Sequence, residues 1–536
     1  MKKIIAGVIV AVLWFAVVIT YTVIATSPKD EDGHEFTILT VKEETVKDYN
    51  TMPVFKALAK TTGKDVYWTY NTSTQYSNNT DPVGISGIDA IYHSGFSNLQ
   101  LYNYGRSGRI VSIDKYLKYM PNFSKILENR PEIAEALKSP DGNIYSLPRV
   151  EEMGLKAYPN LLFINKEWVK KLIPNDLPEG LELTEEDLVD GLTLTRNQFK
   201  EILKKFNSKD MDGDGKSDNE IPLSFVSTNW QGNISDLVSS FGVPENTQHK
   251  TIVNGKIEFT VEYEQWFNAV KELNDWYNTS LIRSTAFTQT QDEFLAKGQD
   301  GRYGAFYWWE KETVVSKDLQ NDYIMLQPLV DDATGKQYVG ASNELEIEKG
   351  ACVIISTCKD IPGLLSYFDK FFEPIYSAQL NYGSIDSGAF EKYVEGEMLV
   401  HNSDHGAQSA DDFRMKNAPY GVVYLDKNIW GKEVQMEPRA QLRLDRLEKY
   451  LEHNEFTNVQ PIPNLNYSKE ELDILFRYEN SLGKNINSWF TTRVTSKSTP
   501  TVSDWQSFLK TNATSISEIK RVNQDAYDRY LKASEK

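Results

Sequence analysis

The sharpest chemistry in this sequence lies between residues 210 and 220. It reads Asp210-Met-Asp212-Gly-Asp214-Gly215-Lys216-Ser-Asp218-Asn-Glu220. Acids at positions one, three and five, a glycine at six, a main-chain carbonyl at seven (Lys216) and an acid at nine form a calcium-loop pattern. A tight loop turns every second side chain inward, and Gly215 permits the sharp turn. Four carboxylates in one loop repel one another unless a cation neutralises them, so the pattern reads as a structural Ca2+ site. An EF-hand places its last acid at position twelve; here Ile221 stands there and Glu220 falls one short. Other reactive groupings are weaker. His401 and His405 are four apart, but no Glu follows the first, and the stretch reads as a polar loop rather than a zinc helix. The 76 acidic residues offer pairs such as Glu151 with Glu310 by number alone. No motif singles out the facing carboxylates that glycoside hydrolysis needs. No nucleophile elbow, phosphate loop or dinucleotide fingerprint is present, so an enzyme is not expected.

The chain that must position these groups has 536 residues, enough for two to four domains at roughly 100–200 residues each. It is 40% hydrophobic and 12% aromatic, with 29 Tyr, 24 Phe and 11 Trp. Such a Tyr and Trp surplus suits a carbohydrate surface, where flat rings stack on sugar C–H faces. The net charge of −18 argues against nucleic acid, which needs a basic footprint. Cys352 and Cys358 lie in or beside the apolar stretch 351–357 and read as buried free thiols of a core strand. Lys2 and Lys3 precede an uncharged apolar run over 4–24, long enough to span a bilayer. That run predicts one N-terminal transmembrane helix, with residues 1–33 as signal anchor and linker and the remaining body outside.

Within that body, residues 36–41 alternate like a strand, 54–61 read as a helix, and 66–70 and 88–92 as further strands. A helix over 98–104 follows, so β and α elements alternate as in an α/β sheet with binding loops at strand ends. Thr195 and Gln198 form a capping box ahead of a helix with Phe199, Ile202, Leu203 and Phe206 on one face. Trp266, Val270, Leu273 and Tyr277 share another face. Ser468 and Glu471 cap a third helix, with Leu472, Leu475 and Phe476 assigned to its apolar face, and the chain from about 440 on is mostly helical.

Several phrases stand in a recognisable order. They are Arg109–Leu117, Pro121-Asn-Phe, Pro140–Pro148, Leu162–Trp168, the acidic loop, Leu295-Ala-Lys-Gly298, Gly304–Trp309 and Gln524–Tyr530. This order resembles the family 1 extracellular solute-binding proteins of bacterial ABC transporters, in particular the large oligosaccharide- and polysaccharide-binding branch found in Gram-positive bacteria and in alginate import. The resemblance implies a type II periplasmic-binding fold: two α/β lobes around a ligand cleft, with extra C-terminal helices. It implies crossings near 147–150, 302–307 and 353–357. The first lobe would then comprise 34–149 plus 303–355, and the second 150–302 plus 356–536 with the calcium loop 210–220. Relatives carry asparagine where Asp212 and Asp214 stand, and place a Glu directly after the ninth-position acid. Here Asn219 intervenes. Relatives in Gram-positive bacteria usually carry a lipid-attachment cysteine that this chain lacks, which shifts anchoring to the apolar run or leaves the mature protein free.

The implied function is capture of a carbohydrate for permease transmembrane subunits, by a monomer on the extracellular face of the cell membrane. A surface co-receptor could use the same fold. Ligand residues are expected in loops at strand ends. Tyr92, His93 and Ser94 end one strand. Arg149 and Glu151 follow the first crossing. Trp230 follows a strand over 223–226. Tyr307, Trp308, Trp309 and Glu310 end the strand beginning at Tyr303, and Tyr382 is a further candidate. Adjacent strand residues point opposite ways, so at most one of Trp308 and Trp309 faces ligand while the strand stays regular.

Overall fold

The computed structural model describes residues 34–42, 44–227, 229–406 and 410–534. The apolar run 4–24 and its linker lie outside the described residues. Among the described residues no helix is long and apolar enough to cross a membrane.

The chain divides into two compact units. The first comprises the segment ending at Glu152 together with Ile347–Met436. Its strands are β1 (Phe36–Val41), β2 (Val66–Asn71), β3 (Ala90–Tyr92), β4 (Leu147–Glu151), β11 (Ile347–Ile354) and β12 (Val423–Leu425). They form one mixed sheet in the order β12-β4-β11-β3-β1-β2. β1 runs parallel to β2 and β3, whereas β11 lies antiparallel to both β3 and β4. β1 is buried at Phe36 and over residues 38–40, and its Leu39 packs with Ile91 of β3 and with Val353. Cys352 in β11 and Cys358 just beyond it are buried and free.

The second unit comprises Met153–Glu346 with Glu437 onward. It holds β5 (Leu161–Asn165), β6 (Ile221–Ser224), β9 (Tyr303–Trp308) and β10 (Tyr323–Met325) in the order β10-β5-β9-β6. A small sheet of β7 (Lys250–Val253), β8 (Lys256–Phe259) and β13 (Val459–Gln460) accompanies it. Thr195 caps helix Arg196–Ser208 as its capping box implies, and Phe199, Ile202, Leu203 and Phe206 are buried. The long helices Lys469–Val494 and Val502–Ser534 complete the core, placing Ile486, Phe490 and Ile519 in the cluster that holds Trp266 and Trp276.

Three expectations need correction. The unit boundary falls at 346/347, not near 302, because β9 pairs antiparallel with β5 and parallel with β6 of the second unit. Residues 356–436 join the first unit, since β12 pairs with β4 there. Pairing partners are distant in sequence, and a short apolar run does not disclose them. Phe476 is 77% exposed, although Leu472 and Leu475 are buried. The buried stripe continues through Leu482, Ile486 and Phe490, and Phe476 sits one residue, about 100°, past Leu475.

Candidate ligand surfaces and a candidate metal loop

In the second unit, β9 lies between β5 and β6, and Tyr303–Trp308 are buried throughout. Trp308 is 2% exposed. Its ring stacks on Phe294 at 4.9 Å and its Nε1 donates to Thr313 Oγ1 at 2.9 Å. Gly232, with φ +69°, packs so closely that a Cβ there would strike the Trp308 ring. Tyr307 belongs to the core. Glu310 is buried and paired with Arg439. Of these four expected contacts, Trp309 alone keeps part of its surface exposed, because it stands just past the strand.

Trp230 is 37% exposed and meets Trp309 edge to face at 5.3 Å and 64°. Its loop is held by buried amides. Asn233 Nδ2 donates to the Trp230 carbonyl at 2.9 Å, and Asn160 Oδ1 accepts from the Asn233 main chain at 3.2 Å. A polar recess opens beside Trp230, lined by Asn160, Asn233, Asp236, Asn246, Thr247 and Ser342. Burial pushes the Asp236 carboxyl up to about 6, although Asn160 and Tyr450 donate to it at 3.2 and 3.0 Å. Flat rings beside amides and a carboxyl can stack on a C–H face and hydrogen-bond the hydroxyls around it.

In the first unit, Arg149 and Glu151 sit two apart on β4 and share a side of the sheet. They pair with each other. Asn381 bridges them, accepting from Arg149 at 2.7 Å and donating to Glu151 at 2.5 Å. Arg414 donates to Glu151 at 3.2 Å and lies 4.4 Å from the Tyr382 ring and 5.0 Å from the Tyr420 ring. Arg149 Nη1 is buried and finds no partner. Arg149, Glu151 and Tyr382 are thus brought together, while Asn381, Arg414 and Tyr420 escaped the sequence reading. They arrive from more than 200 residues away with no local motif to mark them.

The strand-end trio is a correction. Tyr92 is wholly buried; its ring packs edge-on against Trp68 at 5.3 Å, and its hydroxyl bonds the Tyr420 carbonyl. His93 sits at φ +60° and bonds the Pro419 carbonyl at 2.8 Å, and burial drives its pKa down to about 4. Ser94 is buried and donates to Gly350 at 2.6 Å. All three are used up within their own unit. A larger recess in that unit, lined by Thr37, Ser86, Asp89, Arg109, Ser356 and Lys359, opens at the N-terminal ends of β1 and β3 and includes none of the expected residues.

Among the described residues, Asp210, Asp212 and Asp214 form the one group of three whose donor atoms lie within 4.8 Å of one another. Asp210 accepts from Gly213 at 2.6 Å and Gly215 at 2.9 Å, which folds the loop back on its first acid. The main-chain N–H of Lys216, assisted by Asn219, holds the Asp214 carboxyl below its ordinary range. Lys216 and Asp218 are exposed. Glu220 is 1% exposed and lies outside the aspartate trio. Its Oε1 accepts from Met211 N at 2.8 Å, between Asp210 and Asp212, while its Oε2 is buried without a partner, as is Asn219 Oδ1. Two orphaned oxygens beside three carboxylates are a donor set that fits a hard divalent cation. His401 is instead buried against Tyr382 and Phe390, at 4.7 and 4.6 Å.

Two α/β units with strand-end aromatic and polar clusters define a solute-binding architecture. No protein-family model matches the chain. It is 28% identical over 499 residues to the fructooligosaccharide ABC transporter substrate-binding protein FusA of Streptococcus pneumoniae serotype 4, covering 90% of this chain and 88% of that one. The structure of FusA in complex with kestose matches with a TM-score of 0.83 at 26% identity, over 93% of this chain and 99% of that one. So, with the same values, does that of a FusA EF-hand mutant in complex with fructo-nystose. The chain is thus similar, along nearly its whole length, to an extracellular substrate-binding protein of a bacterial ABC transporter.

Proposed function

We propose that this protein captures an oligosaccharide, of the fructose-containing class, and delivers it to the permease subunits of an ABC importer. The observation that carries the reading is the Trp230–Trp309 pair, with Trp230 exposed and Trp309 half-buried beside a small recess of buried amides and Asp236. FusA is named for fructooligosaccharides, and a fructose-rich ligand offers the same mixture of ring faces and hydroxyls. In the first unit, taken by itself, Arg149, Glu151, Asn381 and Arg414 form a polar cluster in which Arg149 Nη1 is buried without a partner. Asp210, Asp212 and Asp214, with Glu220 and the Lys216 carbonyl, would hold calcium. When bound, that ion supplies positive charge that cancels the acidic loop. We assign the body to the outside of the cell membrane, anchored through the apolar run 4–24, and working as a monomer.

The test is a thermal-shift screen of residues 34–536 with kestose, nystose, maltotriose and sucrose. A ligand that binds only the folded state raises the melting temperature. The expected result is a rise with kestose or nystose and recovery of intact sugar by chromatography. Release of shorter sugars would replace the importer reading with an enzyme.

A further inference from the structure

Arg443 lies on helix Pro438–Leu451 and is only 1% exposed. Its guanidinium carbon stands 3.7 Å from the centroid of the Trp309 ring. The same group donates through Nη1 to the Trp309 carbonyl and through Nη2 to the Tyr158 carbonyl at 2.6 Å. Trp309 follows β9 by one residue and Tyr158 precedes β5 by three, and these strands pair with Leu161 opposite Trp308. One side chain therefore ties the ends of two paired strands and covers an indole.

Burying a cation is costly, and it persists where specific bonds offset the desolvation. Burial lowers the Arg443 pKa to about 9, against the favourable fields of Glu310 and Asp236. A simple spacer at this site would be apolar. Only a planar fork can stack on a ring while donating to two carbonyls at once; a lysine cannot do both.

We propose that Arg443 is the positioning residue of the ligand platform, fixing the Trp309 indole in the orientation in which Trp230 meets it edge-on and part of the ring stays exposed. This rests on the reading of Trp230 and Trp309 as the sugar platform. Arg443 acts through Trp309 and touches no sugar itself.

A double-mutant cycle tests it, with kestose affinity measured by calorimetry on wild type, W309A, R443M and the double variant. W309A is expected to weaken binding by tenfold or more, and R443M by about tenfold. On the W309A background R443M should change affinity less than about twofold, because the group it orients is gone. R443M should also shift the tryptophan emission of the folded protein, and this shift should vanish on the W309A background. R443K, which keeps the charge and lacks the fork, should not restore affinity; if R443M does not fold, R443K carries the same cycle. Wild-type affinity in the Arg443 variants, or a loss that adds fully to that of W309A, overturns the positioning role and leaves the platform standing. Wild-type affinity in W309A removes the platform itself.

Discussion

Trp308 and Trp309 are chain neighbours with opposite fates. Trp308 is buried on Phe294 and bonded to Thr313, whereas Trp309 stands past the strand end. Truncating Trp308 leaves a cavity, so W308A should lower unfolding free energy by about 3–5 kcal/mol in urea titrations. W230A should instead leave the urea midpoint nearly unchanged and weaken kestose binding by tenfold or more in calorimetry. Asp236 gives a pH signature. Its folded pKa of about 6 lies above its ordinary 3.8. Stability tied to its proton is therefore complete below pH ~4 and lost as pH rises through about 6. The difference corresponds to roughly 3 kcal/mol. Wild-type stability minus that of D236N should fall by that order between pH 4 and 7; a flat difference would show that Asp236 titrates normally. At this scale the sequence exposed residue types but not their orientation. Alternation told that the two tryptophans diverge, and packing against Gly232 and Phe294 decided which turned inward.

The acidic loop is the element most legible in the sequence, because its acids are local. Asp210, Asp212 and Asp214 converge as their spacing implies, with Gly213 and Gly215 at φ +85° and +86°. Calcium at a hundredfold over its Kd should stabilise the folded loop by about 2.7 kcal/mol, read as a higher melting temperature that chelator reverses. D212A should abolish the shift. E220Q should reduce calcium affinity measured by calorimetry if the orphaned Oε2 is a ligand, and an unchanged affinity would assign Glu220 to bracing Met211 alone. Capping boxes at Thr195 and Ser468 were equally legible, since their hydrogen bonds span three residues. Strand identity was legible and strand partnership was not. β9 looked like a returning crossing until its ladder with β5 and β6 placed it in the second unit.

For the whole molecule, composition and order of phrases carried far. A net charge of −18 argues against a nucleic-acid partner, so electrophoretic mobility of duplex DNA should be unaffected by micromolar protein at physiological salt. The class of protein followed from phrases spread along most of the chain, and the match to FusA over 90% of its length agrees. By itself the sequence determined what depends on neighbours in the chain: the acidic loop, the helix caps, the amphipathic faces and the ordered phrases that resemble solute-binding proteins. Tertiary structure decided what depends on residues far apart. It turned Tyr92 and Ser94 into core, joined Arg149 and Glu151 to Asn381 and Arg414, and laid Arg443 on Trp309. The physical reason is range. Caps and ligand loops are closed by bonds a few residues apart, whereas a binding surface is what remains exposed after distant segments have competed for burial.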